Sequence, residues 1–118
     1  MNAYSVPEIS VQDLAKKLEA GEKFTIIDVR ETWEVETASI QDERVVVVPM
    51  SQVSVEGINA FPEATRDFQA EYVVMCHHGA RSANVTAWML QQGWQNATSL
   101  AGGIGEYAEE IDPSVGMY

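Results

Sequence analysis

The sequence predicts an α/β fold with a mainly parallel central sheet flanked by helices, and three observations lead there. Short, nearly continuous apolar runs recur at residues 24–29, 45–48 and 72–75; strands covered on both faces lose the in-out alternation of half-exposed ones. Stretches of helical spacing closed by glycine lie among them, and this alternation is the pattern of crossover-connected parallel strands. With 118 residues, the chain is expected to form one domain, 1–118, able to bury a core without disulfides or a metal.

The elements follow in order. Ser10 precedes Val11, Leu14, Ala15 and Leu18 at helical spacing, with Asp13 placed in the first turn and Gly21 placed to end the helix. Phe24-Thr25-Ile26-Ile27-Asp28-Val29 reads as a buried strand with the polar exit Asp28-Val29-Arg30-Glu31. Val45 to Val48, stopped by Pro49, and Tyr72-Val73-Val74-Met75, leading into Cys76, read as two more. Ala83, Val85, Ala87, Trp88, Met89 and Leu90 support a helix closed by Gly93. Thr98-Ser99-Leu100 is a short last strand, and Gly102-Gly103 turns into a short helix around Tyr107 and Ala108. No repeat, low-complexity segment or linker interrupts the chain.

Eighteen acidic residues against seven basic ones give a formal charge of −11. Such a field repels polyanions, so neither nucleic acid nor an anionic membrane is an expected partner. No apolar run approaches the roughly 20 residues needed to span a bilayer. The stretch from Met1 to Glu8 lacks a basic region followed by an apolar run, which makes the cytoplasm the expected location. The single cysteine cannot form an intramolecular disulfide, in keeping with a reducing compartment.

That cysteine is also the most informative residue. Cys76 ends a buried strand, and a helix is expected four or five residues later. Sites in open α/β sheets form at the carboxyl ends of strands, and a helix amino terminus offers unpaired N–H donors with a partial positive charge. A thiolate is favoured there, and the thiolate is the nucleophilic form of cysteine. Gly79 and Ala80 are small enough for a loop to turn successive N–H groups inward, and Arg81 supplies a permanent cation. His77 and His78 are read as hydrogen-bonding or entrance-shaping loop residues. With no third histidine and no second cysteine, they do not make a metal site, which needs three or four separated ligands. Asp28 and Arg30 are read as structural support, since buried charges need partners.

The run Cys76-His77-His78-Gly79-Ala80-Arg81-Ser82 resembles the active-site loop of rhodanese-like domains. Asp28-Val29-Arg30 with Glu31 is similar to the early strand-end signature of that family, Leu100-Ala101-Gly102-Gly103-Ile104 to its late glycine pair, and Asp112-Pro113 with Tyr118 to a tail common in its single-domain members. The resemblance implies a sulfurtransferase with Cys76 as catalytic nucleophile, taking a sulfane sulfur from a small anionic donor such as thiosulfate, or from a persulfide, and passing it to a thiol or cyanide. It places His77, His78, Gly79, Ala80, Arg81 and Ser82 around the substrate and calls for no cofactor and no metal. A binding or sulfur-carrier module working with a protein acceptor is the alternative. One segment departs from the family pattern: Ala38-Ser39-Ile40-Gln41-Asp42-Glu43-Arg44 stands where a Gly-His-Ile stretch, then Gly-Ala and a proline, is usual. Cysteine phosphatases and arsenate reductases resemble a longer cradle, with five residues between Cys and Arg. The four between Cys76 and Arg81 enclose a smaller ring, suited to a sulfur atom rather than a tetrahedral phosphate.

Overall fold

The computed structural model describes residues 3–118, so Met1 and Asn2, part of the segment read for a leader, lie outside the described residues. Five strands, β1 (Glu8–Ile9), β2 (Thr25–Asp28), β3 (Val45–Val47), β4 (Glu71–Met75) and β5 (Asn96–Leu100), form one sheet in the order β1-β5-β4-β2-β3. Every pairing in it is parallel. Five α-helices connect and follow them: α1 (Val11–Glu19), α2 (Thr32–Thr37), α3 (Met50–Glu56), α4 (Ala80–Gln92) and α5 (Gly103–Glu110). Three 3₁₀ turns, at Gly57–Ala60, Glu63–Thr65 and Pro113–Val115, complete the elements of the described residues.

Side-chain alternation along the central strands divides the core in two. Ile26, Val73 and Met75 face Leu14, Leu100 and Ile104 on the side of α1 and α5. Ile27, Tyr72 and Val74 face Val85, Met89 and Trp94 on the side of α4. Burial on both faces explains why 24–29 and 72–75 read as nearly continuous apolar runs. Trp94 is fixed on its side by an indole N–H donated to the Thr65 carbonyl at 3.0 Å and by ring contacts with Phe61 and Phe68.

The topology decides where a site can form. From β2 the chain moves outward to β3, and from β4 it moves outward the other way to β5, so the order reverses between β2 and β4. A crevice at the carboxyl ends of strands opens at such a switch point. Register pairs Asp28 with Met75 at those ends, and the Val29 amide donates to the Met75 carbonyl at 2.9 Å. The Asp28-Val29-Arg30 exit and the loop beginning at Cys76 are thereby brought side by side.

Several elements differ from the sequence expectation. The strand expected over 24–29 is Thr25–Asp28, with Val29 already in the exit, and the strand expected at 98–100 begins earlier, at Asn96. Strand β1 and helices α2 and α3 are absent from the sequence expectation. The divergent segment 38–44 packs by its buried Ala38 and Ile40, and its Ser39 amide donates to the Val115 carbonyl of the last 3₁₀ turn. Among the described residues, no helix is long and apolar enough to cross a membrane.

Candidate active site

Cys76 follows β4, and its sulfur is enclosed by its own loop. The residue is 1% exposed. The Gly79 amide donates to Sγ at 3.1 Å, the Ser82 amide at 3.3 Å, and the thiol lies 3.4 Å from Ser82 Oγ as a donor. Gly79 makes this possible: as the residue before α4 it has φ 108°, a left-handed conformation that side chains disfavour, and it turns its own N–H toward the sulfur. Ser82 belongs to the first turn of α4, whose free N–H groups carry the positive end of the helix dipole. Its hydroxyl also meets the Gly79 carbonyl at 3.2 Å and Ser99 Oγ at 2.8 Å, tying the cradle to β5.

A second helix start holds the entrance of the loop. In α5 the Ile104 amide donates to the Cys76 carbonyl at 2.9 Å and the Gly105 amide to the His77 carbonyl at 3.0 Å. Gly103 lies so close that a Cβ there would overlap both carbonyl oxygens, and its φ is 63°. The Gly102-Gly103 pair is therefore what lets α5 press its first turn against the loop.

The arginine of the loop is not a free cation. Arg81 donates from Nη1 to Glu34 Oε2 and from Nη2 to Glu34 Oε1, both at 2.8 Å, in a two-pronged ion pair. Glu34, in α2, is 4% exposed. Its oxygens also accept from the Tyr118 hydroxyl at 2.9 Å and the Glu31 amide at 2.9 Å. These donors, Arg81 first among them, outweigh the cost of burial and hold its carboxyl at a pKa of about 2. The same pairing pushes the Arg81 guanidinium above its ordinary value.

Behind this pair stands another. Arg30 is fully buried and donates to Asp28 from Nε at 3.0 Å and from Nη2 at 2.8 Å. Its Nη1 reaches the Glu34 carbonyl at 3.2 Å and the Tyr118 hydroxyl at 3.3 Å. Asp28, Arg30, Glu34, Arg81 and Tyr118 thus form one connected polar network linking β2, α2, α4 and the tail.

His77 is sandwiched between His78, with ring centroids 3.7 Å apart, and Tyr118, at 4.0 Å. Burial, then the proximity of His78, lowers the His77 pKa, so the neutral ring is favoured in this stack. Beside it lies a cavity of about 340 Å³ bordered by His77, His78, Glu106, Glu109, Met117 and Tyr118. Among the described residues no group of three or more His, Cys, Asp or Glu is arranged to hold a metal ion.

The loop from Cys76 to Ser82 is thus gathered at one place, with Ala80 opening α4, and Asp28 and Arg30 lie directly behind it. Sequence reasoning missed Glu34. The one available signal was its place three residues after Glu31, a spacing that lets a carboxylate in a first helical turn reach back to a free amide. It carried no weight because α2 itself was not recognised.

A profile of the rhodanese-like domain matches residues 10–110. The Bacillus subtilis protein YtwF, provisionally named a sulfurtransferase, is 34% identical over 110 residues, covering 92% of this chain and 96% of its own length. The chain spans much less of other relatives. It covers 38% of the chloroplastic rhodanese-like/PpiC domain-containing protein 12 of Arabidopsis thaliana, at 31% identity over 96% of this chain. It covers 56% of YrkF of Bacillus subtilis, provisionally named a sulfur carrier, at 32% identity over 94% of this chain. The crystal structure of a rhodanese-related protein from Thermoplasma volcanium superposes with a TM-score of 0.71 and 31% identity, covering 89% of this chain and 93% of that one. With such agreement along nearly its whole length, from profile to superposed fold, the chain belongs to the rhodanese-like domain family.

Proposed function

We propose that the chain is a sulfurtransferase that accepts a sulfane sulfur on Cys76 and passes it on as a persulfide sulfur. The observation that carries this reading is the enclosure of Sγ by the Gly79 and Ser82 amides at the start of α4. Those N–H groups favour negative charge on sulfur, both on the attacking thiolate and on the persulfide that replaces it. With thiosulfate, the thiolate attacks the outer sulfur, the S–S bond breaks and its electron pair leaves on sulfite. A thiol or cyanide then attacks the outer sulfur of the Cys76 persulfide and returns the thiolate. Two half-reactions at one nucleophile need no external oxidant and no cofactor. The names of YtwF and YrkF add support from relatives at about a third identity, and a reducing cytoplasm would keep Cys76 free between cycles.

Intact-mass measurement after exposure to a sulfane donor tests the proposal. The expected result is a gain of one sulfur atom that maps to Cys76 and disappears on adding cyanide, with thiocyanate formed. A protein whose mass never changes under either thiosulfate or a persulfide is not a sulfurtransferase of this kind. The sulfur-carrier reading, favoured by the likeness to YrkF, differs in one respect: the sulfur is gained but leaves only when a protein acceptor is supplied.

A further inference from the structure

We propose that Glu34 is a specificity-determining residue which, by occupying Arg81, turns the site toward persulfide donors and away from the thiosulfate dianion. The proposal rests on the sulfurtransferase reading above and concerns which donor that site prefers.

Of the seven basic residues, five lie toward the amino ends of the strands, away from Cys76. Lys16 and Lys17 end α1, and Lys23, Arg44 and Arg66 precede β2, β3 and β4. Only Arg30 and Arg81 stand at the carboxyl ends, and both are committed. Arg30 is buried against Asp28, and both terminal nitrogens of Arg81 are bonded to Glu34. The adjoining cavity adds the carboxylates of Glu106 and Glu109 to its border and no arginine or lysine. Among the described residues, a thiosulfate dianion arriving here meets no uncommitted arginine or lysine to offset its sulfonate charge, so its desolvation is poorly compensated.

A hydropersulfide, R–S–S–H, makes no such demand. The Cys76 thiolate attacks its outer sulfur, the old S–S bond breaks, and the electron pair leaves on R–S⁻. The proton stays on the transferred sulfur or passes to water. Only the outer sulfur needs stabilising, and the Gly79 and Ser82 amides already face that position.

The test compares kcat/KM for cysteine persulfide and for thiosulfate, each divided by the donor's rate with free cysteine to remove intrinsic reactivity. In the native protein this normalised ratio should favour the persulfide by about a hundredfold, the scale expected of one uncompensated charge in a partly enclosed site. Glu34→Gln releases Arg81 and should move the ratio about tenfold or more toward thiosulfate. The double variant Glu34→Gln/Arg81→Gln should cancel that gain, since no cation remains to be released. A native ratio near unity overturns the proposal, and this result needs no variant to fold. A Glu34→Gln ratio that stays put, or a gain that survives in the double variant, overturns it as well. Absence of a Cys76 adduct with both donors is a different outcome, which rejects the sulfurtransferase reading and this proposal with it.

Discussion

Cys76 and Arg81 respond to substitution in opposite ways. Cys76→Ser should fold as the native protein does, because the hydroxyl fits between the same donors, but sulfur transfer should fall to the uncatalysed level. Thiocyanate formation and a thermal melt together check this, and a serine variant that still turned over would remove Cys76 from the chemistry. Arg81→Ala, in contrast, should affect stability. It leaves the nearly buried Glu34 carboxylate without its main partner, a costly state. Because the Arg81 side chain is 34% exposed, water offsets part of this, and a loss of about 2 kcal/mol is expected in urea titrations. Glu34 also makes stability depend on pH. Its pKa is depressed in the folded state to about 2 from an ordinary 4.5, so its stabilisation is complete above the ordinary value and is lost as pH falls toward 2. The contribution is on the order of 3 kcal/mol. Urea midpoints measured between pH about 6 and about 3 should fall steeply in the native protein and more gently in Glu34→Gln.

At the scale of elements, α4 and α5 both point their amino ends at the loop, and the second does so through Gly103. Gly103→Ala combines a left-handed backbone with overlap of the Cys76 and His77 carbonyls. A destabilisation of about 3 kcal/mol is expected, with slower transfer from a displaced loop, measurable by denaturation and by single-turnover kinetics. Retention of native stability would mean that α5 can shift away at little cost. The elements differ in how openly the sequence announces them. Helix α1 shows its cap at Ser10, whose side chain accepts from the Asp13 amide, and α4 is long enough for its apolar positions to repeat. Helices α2 and α3, with six and seven residues, complete fewer than two turns, too short for a period to appear. Strand β1 has two residues and exists because β5 offers it an edge. The Cys76 cradle was legible because its parts are contiguous. The Glu34–Arg81 pair was not, because it joins residues 47 positions apart on elements that only the folded sheet brings together.

The whole molecule adds its charge to these local effects. It measures 34 × 29 × 28 Å and carries a net −11. At 0.01 M salt the Debye length is about 30 Å, so carboxylates anywhere on the surface act on an approaching anion; at 0.1 M it is about 10 Å, and only the nearest do. The second-order rate with thiosulfate should therefore rise a few-fold over that range in a salt that does not bind the loop, whereas cysteine persulfide, which carries less negative charge, should show a smaller change. Stopped-flow measurement of adduct formation would show this. A steady fall with thiosulfate would mean a locally positive entrance, at odds with an Arg81 neutralised by Glu34.

The placement of the aromatic rings also has an optical consequence. Trp94 is buried and Trp88 packs against it, with ring centroids 6.0 Å apart. Trp33 is 63% exposed and meets the edge of the Tyr118 ring at 6.1 Å. The fluorescence of the folded protein should accordingly separate into a blue component from buried Trp94 and half-buried Trp88 and a red component, quenched by iodide, from Trp33. Since the Tyr118 hydroxyl rests on Glu34, the red component is a built-in reporter of the network beside Cys76, readable during a single turnover without any label.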